Sequence, residues 1–63
     1  MDKKEALKIV QEDGYELGDL SDNFKKDKEI VLEAVKENGF ALQHADDSLK
    51  NDPDILAIVN KKK

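Results

Sequence analysis

The feature that most constrains this chain is that it repeats itself. Shifted by 25 positions, residues 2–26 lie on residues 27–51, and a third copy begins at Asp52. Among the identities are the opening Asp2 and Asp27, Leu7 with Leu32, Val10 with Val35, Gly14 with Gly39, and Leu17 with Leu42. These are residue types that cap helices and fill cores. Self-similarity at a fixed period of this size is the mark of stacked supersecondary units, none of which buries its apolar face alone.

Each unit opens with a helix start. Asp2, Asp27 and Asp52 each precede an apolar-periodic stretch, and an aspartate there accepts from the free N–H groups of the first turn. Pro53 suits the first helical position because its φ is fixed and it has no N–H to lose, and Glu5, three residues after Asp2, has the spacing of a capping box. In the second unit Ile30, Val31, Ala34 and Val35 form a broad apolar stripe, with Leu32 beside it and Glu29, Glu33, Lys36 and Glu37 outside. Glu5 replaces Ile30 in the first copy and Asn60 replaces Val35 in the third. The middle helix is therefore expected to be the most buried.

The first two helices are expected to stop at Asp13-Gly14 and Asn38-Gly39, with glycine in the left-handed conformation. Tyr15 and Phe40 would then pack back on Val10 and Val35, as the apolar residue of a Schellman cap does. Two short helical turns follow in each unit, where Leu17, Leu20 and Phe24, and likewise Leu42, Ala45 and Leu49, are placed to cover the long helices. Gly18 weakens the first copy relative to Gln43, since interior glycine costs about 1 kcal/mol against alanine. The resulting expectation is an all-α, solenoid-like helical-repeat array of about two and a half units in one small domain over residues 1–63. The units are 2–26, 27–51 and a partial 52–63, with long helices near 2–13, 27–38 and 52–60.

Composition sets how such an array is held together and what it avoids. With 63 residues and no cysteine, neither a disulfide framework nor a thiolate metal site is available, and packing must supply the stability. No apolar run approaches a membrane span, and the N-terminus lacks the apolar stretch of a signal peptide, which favours a soluble, cytoplasmic setting. The formal net charge is -4, and every basic residue is lysine. Three lysines form the tail Lys61, Lys62 and Lys63, so residues 1–60 carry 8 lysines against 15 acids, or -7. Phosphate recognition needs a basic face and commonly the arginine fork, so nucleic acid is not expected as a ligand. The tail reads as a solubilising helix end that complements the helix dipole.

The second unit reads D-x-E-[IV]-V-L-x-A-V-K-x-[ND]-G-[FY]-A-L-x-x-A, followed by D-D-S-L-K-N-D into the next copy. This pattern resembles a bacterial repeat family of unknown function, catalogued as domain of unknown function 4116. Residues 27–52 carry the resemblance best, and residues 2–26 carry it through Val10, Gly14, Tyr15 and Leu17. The resemblance implies a helical unit used in tandem in larger bacterial proteins, with no activity attached to it. His44 departs from the pattern, at a position where the family often has an aromatic such as tyrosine.

The residues offer little chemistry. His44 is the single histidine, and with Asp46 and Asp47 nearby it falls short of a zinc ligand set or a nucleophile-base pair. Asp13, Glu16, Asp19 and Asp22 recur every third residue without the D-x-D-x-D-G arrangement and distal glutamate of a calcium loop. Gly14 and Gly39 each follow a helix rather than a strand, unlike phosphate-cradling loops. Tyr15 and Phe40, as stacking platforms for bases, would sit in acidic surroundings that repel a polynucleotide. No catalytic residue, cofactor or metal is therefore expected. The leading expectation is a non-enzymatic protein-interaction module, with Glu16, Asp19, Asp22 and His44 as candidate partner contacts. The alternative is a small acidic inhibitor or nucleic-acid mimic that binds a basic protein.

Overall fold

A computed structural model describes residues 1–61, and among them there are helices and no strand. The order is α1 (Lys3–Glu12), a 3-10 turn η1 (Gly14–Asp19), a one-turn helix α2 (Asp22–Lys25), α3 (Lys28–Glu37), a second 3-10 turn η2 (Gly39–His44), α4 (Asp47–Lys50) and α5 (Pro53–Lys61). The chain is all-α, as its periodicity predicts. Lys61 ends α5, while Lys62 and Lys63, to which the reading of the tail also applied, lie outside the described residues.

The long helices start where the aspartates stand. Asp2 Oδ1 accepts from the Glu5 N–H at 2.8 Å, Asp27 Oδ1 from the Glu29 N–H at 3.0 Å, and Asp52 Oδ1 from the Asp54 N–H at 2.9 Å. Each bond satisfies a donor that has no partner inside its helix.

The helix ends correct the expectation of left-handed glycine. No glycine and no other described residue has positive φ. Instead the residue before each glycine turns the chain: Asp13 (φ -150, ψ 102) and Asn38 (φ -149, ψ 108) are extended. Their N–H groups still donate to Ile9 and Ala34 and so close the helix. Their side chains accept from the N–H groups of Tyr15 at 3.1 Å and Phe40 at 3.0 Å and so cap the 3-10 turn that follows. One Asp or Asn thus ends one element and begins the next, the local side-chain-to-backbone bonding these residues favour. Tyr15 and Phe40 also depart from the Schellman expectation, because both remain exposed.

Burial follows the stripes. Ile30, Val31, Ala34 and Val35 of α3 are fully buried, joined by Ala6 and Val10 from α1 and Ile55 from α5. Leu17, Leu20, Ala41, Ala45 and Leu49 close the core from the shorter elements, with Phe24 and Leu42 partly buried against it. α3 lies at the centre and packs on α1, α2, η1, η2 and α5, while η1 and η2 pack side by side. Glu5, on α1 where α3 has Ile30, is exposed.

Candidate functional site

Three arrangements bring polar side chains together on this small molecule. The first is the seam between η1 and η2. The His44 ring stands edge-on to Tyr15, with centroids 4.5 Å apart and planes at 78°, a favoured aromatic geometry. It lies so close to Gly18 that a Cβ there would sit 2.8 Å from His44 Nδ1. Gln43 Nε2 donates to Tyr15 Oη at 2.9 Å. Gly18, a weak point by helix propensity alone, is thus the slot that admits the histidine ring. His44 Nε2 is buried and has no hydrogen-bond partner.

The second arrangement is a lysine clamp that occurs twice. Lys3 Nζ lies 3.1 Å from Asp27 Oδ2 and 2.9 Å from Glu29 Oε1. Lys28 Nζ lies 3.2 Å from Asp52 Oδ2 and 2.8 Å from Asp54 Oδ2. The second residue of one long helix therefore grips the cap and first turn of the next. The hydrogen bond to Glu29 and then that to Asp27 push the Lys3 ammonium above its ordinary value, and those to Asp54 and Asp52 do the same for Lys28. Burial works against the Asp52 carboxylate, yet the bond from Lys28 and the N–H groups of Asp54 and Ile55 outweigh it and hold its pKa below the usual value.

The third is the acidic edge. The neighbouring Asp19 charge first, then some loss of hydration and the Asp13 charge, push the exposed Glu16 carboxyl above its ordinary value, the signature of like charges held close. Of the four candidate contact residues, Glu16 and Asp19 stand together on η1. Asp22 is exposed at the start of α2 and is not among the groups acting on Glu16, and His44 lies across the seam against Tyr15 and Gly18. The lysine clamps and the Gly18 slot are the features not singled out from the sequence. The clamps had a visible signal, since a shift of 25 lays Lys3 on Lys28, Asp27 on Asp52 and Glu29 on Asp54. Among the described residues no group of three or more His, Cys, Asp or Glu side chains is placed to hold a metal ion.

The sequence of the chain has a counterpart among known families. A model described as Domain of unknown function (DUF4116) matches residues 2–50 and again residues 27–62. The chain belongs to the DUF4116 family. No match was found among curated proteins or among solved structures. The family membership read from the motif of the second unit is thereby shown, and DUF4116 brings no assigned activity to the three arrangements.

Proposed function

We propose that this DUF4116 chain is a non-enzymatic protein-interaction module, a short solenoid of about two and a half 25-residue units of a bacterial tandem type. The observation that carries the reading is the repeated inter-unit clamp, from Lys3 to Asp27 and Glu29 and then from Lys28 to Asp52 and Asp54. A contact that recurs at the unit period is what lets neighbouring units stack into an extended surface. The core supports the reading too, because its buried side chains are all apolar among the described residues. Carboxylates and ammonium groups on the outside suit recognition better than the desolvated settings in which catalytic groups acquire their pKa values.

The second reading, an acidic mimic that binds a basic protein, draws support from the clustered Asp13, Glu16 and Asp19. One experiment separates the two. The chain is immobilised, its retained protein is identified from a lysate, and binding is measured again after Glu16→Lys, Asp19→Lys and Asp22→Lys, at physiological salt and at about 0.5 M, where the Debye length falls to roughly half. An apolar interaction module keeps its partner through both changes, whereas a mimic loses it through either. Retention of nucleic acid rather than protein would sink both.

A further inference from the structure

The seam between η1 and η2 shows what one face of this fold receives. Tyr15 and Gly18 of η1 and Lys25 of α2 meet the segment His44-Ala45-Asp46. The His44 ring stands edge-on to Tyr15 with centroids 4.5 Å apart and reaches over Gly18, Ala45 is buried, and the Asp46 N–H donates to the Lys25 carbonyl at 3.1 Å. The occupant is thus a ring, a small residue and an acid in succession. A second face of related sequence is open. It is a shallow groove of about 390 Å³ lined by Gly39, Phe40, Leu42, Gln43 and Lys50, and the 25-residue shift lays Gly14, Tyr15, Leu17, Gly18 and Lys25 on these five. Phe40 is 77% exposed against 45% for Tyr15, and Leu42 is partly buried where Leu17 is fully buried.

The differences between the two faces define what the open one can take. Phe40 has no hydroxyl, so an occupant need not supply the bond that Gln43 gives to Tyr15. Gln43 carries a Cβ where Gly18 has none, and a Cβ at Gly18 would lie 2.8 Å from the His44 ring. A ring above Gln43 must therefore stand higher, against the open Phe40 side chain, where offset or edge-on packing is favourable. Lys50 is the charged lining residue. Its own ion pair, 3.3 Å long, is with an Asp47 side chain that is 96% exposed, a surface pair of small worth that an incoming carboxylate can replace. We propose that this groove docks a segment of another protein in which an apolar aromatic residue is followed, two positions on, by an aspartate or glutamate, the ring lying on Phe40 and the carboxylate on Lys50. This deepens the interaction-module reading and rests on it. A second copy is a poor occupant, because its own segment of that pattern, His44 to Asp46, is engaged in its own seam. Its other aromatic residues, Tyr15, Phe24 and Phe40, are followed two positions on by Leu17, Lys26 and Leu42.

The probe is a peptide with blocked ends and the sequence of residues 41–49, carrying His44→Phe and Asp47→Asn so that it presents one apolar ring and one carboxylate. Amide chemical shifts of the isotope-labelled full chain are followed as the peptide is added. Saturable shifts centred on Gly39, Phe40, Leu42, Gln43 and Lys50 are expected, with half-saturation at about 1 mM or below. Phe40→Ser in the chain, or His44→Ala in place of His44→Phe in the peptide, should weaken binding at least about fivefold, as loss of an anchor does. Lys50→Met in the chain and Asp46→Asn in the peptide should each weaken it about two- to fivefold, and together no more than either alone, because they remove one contact. No saturation by about 10 mM, shifts centred elsewhere, indifference to either ring, or additive effects of Lys50→Met and Asp46→Asn would each overturn the proposal. So would self-association of the chain, measured by sedimentation, that Phe40→Ser abolishes, because the occupant would then be a second copy. A partner protein that the chain retains after Phe40→Ser would leave the interaction reading standing and remove this one, so the two fail separately.

Discussion

Gly14 and Gly39 coincide under the 25-residue shift of the sequence, yet a methyl group added to them meets opposite surroundings. At Gly14 a Cβ would overlap the Ala34 carbonyl oxygen and lie 3.0 Å from the Asn38 nitrogen, both backbone atoms that cannot swing away. At Gly39 nothing lies within 4 Å. Gly14→Ala is therefore expected to destabilise by about 1–3 kcal/mol, the usual cost of overpacking. Gly39→Ala should be neutral or stabilise by up to about 1 kcal/mol, because φ is compatible with alanine and the unfolded chain loses freedom. Urea or thermal midpoints of the two variants check this, and equal losses at both sites would show that backbone conformation, not close approach, selects glycine here. The sequence placed both glycines at helix ends correctly and misjudged why they are there. A left-handed cap is the usual reason for such a glycine, whereas approach of another helix is set by tertiary neighbours that no local pattern contains. His44 shows the same boundary, since its place in the second short helical segment was legible while the Gly18 slot beneath it was not.

At the scale of elements, the starts of the long helices were legible because an aspartate cap is a local device, and Asp2, Asp27 and Asp52 all accept as their positions predict. What joins one helix to the next was less so, because Lys3 and Lys28 read as surface charge until the fold brings the following cap within reach. The clamps give a pH dependence whose sign can be worked out. Lys3 and Lys28 are raised above 10.5 in the folded chain, so their contribution is fully present below that value and lost as pH rises through their folded pKa. Asp52, and Asp46 through its bonds from the Ser48 hydroxyl and N–H, are lowered below 3.8. Their contribution is present above 3.8 and lost as pH falls through the folded values. Glu16, raised above 4.5, acts in the opposite sense and relieves repulsion as it protonates. Thermal midpoints should therefore hold or rise slightly as pH falls towards the range just above 4.5. They should then drop below 3.8 and fall again above 10.5. Lys28→Met should flatten the alkaline fall and lower the neutral midpoint more than Lys4→Met, which breaks no ion pair among those seen. A Lys28→Met chain with an unaltered pH profile would show the clamp to be a surface pair of no consequence.

At the scale of the whole molecule, α3 is the one long helix among the described residues that is covered on both sides, by α1 and by α5, and its four fully buried side chains make it the axis of the core. A chain of 63 residues is expected to have only about 3–9 kcal/mol of stability in total. Ile55 of α5 is fully buried, and burial of one such side chain is worth roughly 1.5–3 kcal/mol. Removing α5 would forfeit that contribution, uncover part of the α3 stripe and leave Lys28 without Asp52 and Asp54. These losses together are comparable with the whole stability, so the chain ended at Asn51 should show no cooperative thermal transition by circular dichroism. Ile55→Ala in the full chain should cost about 2–5 kcal/mol, the range for truncating a buried isoleucine, and so produce a partial version of the same effect. A cooperative melt for residues 1–51 would mean that these residues close a sufficient core on their own, and that α5 is an accessory helix rather than the second wall of α3.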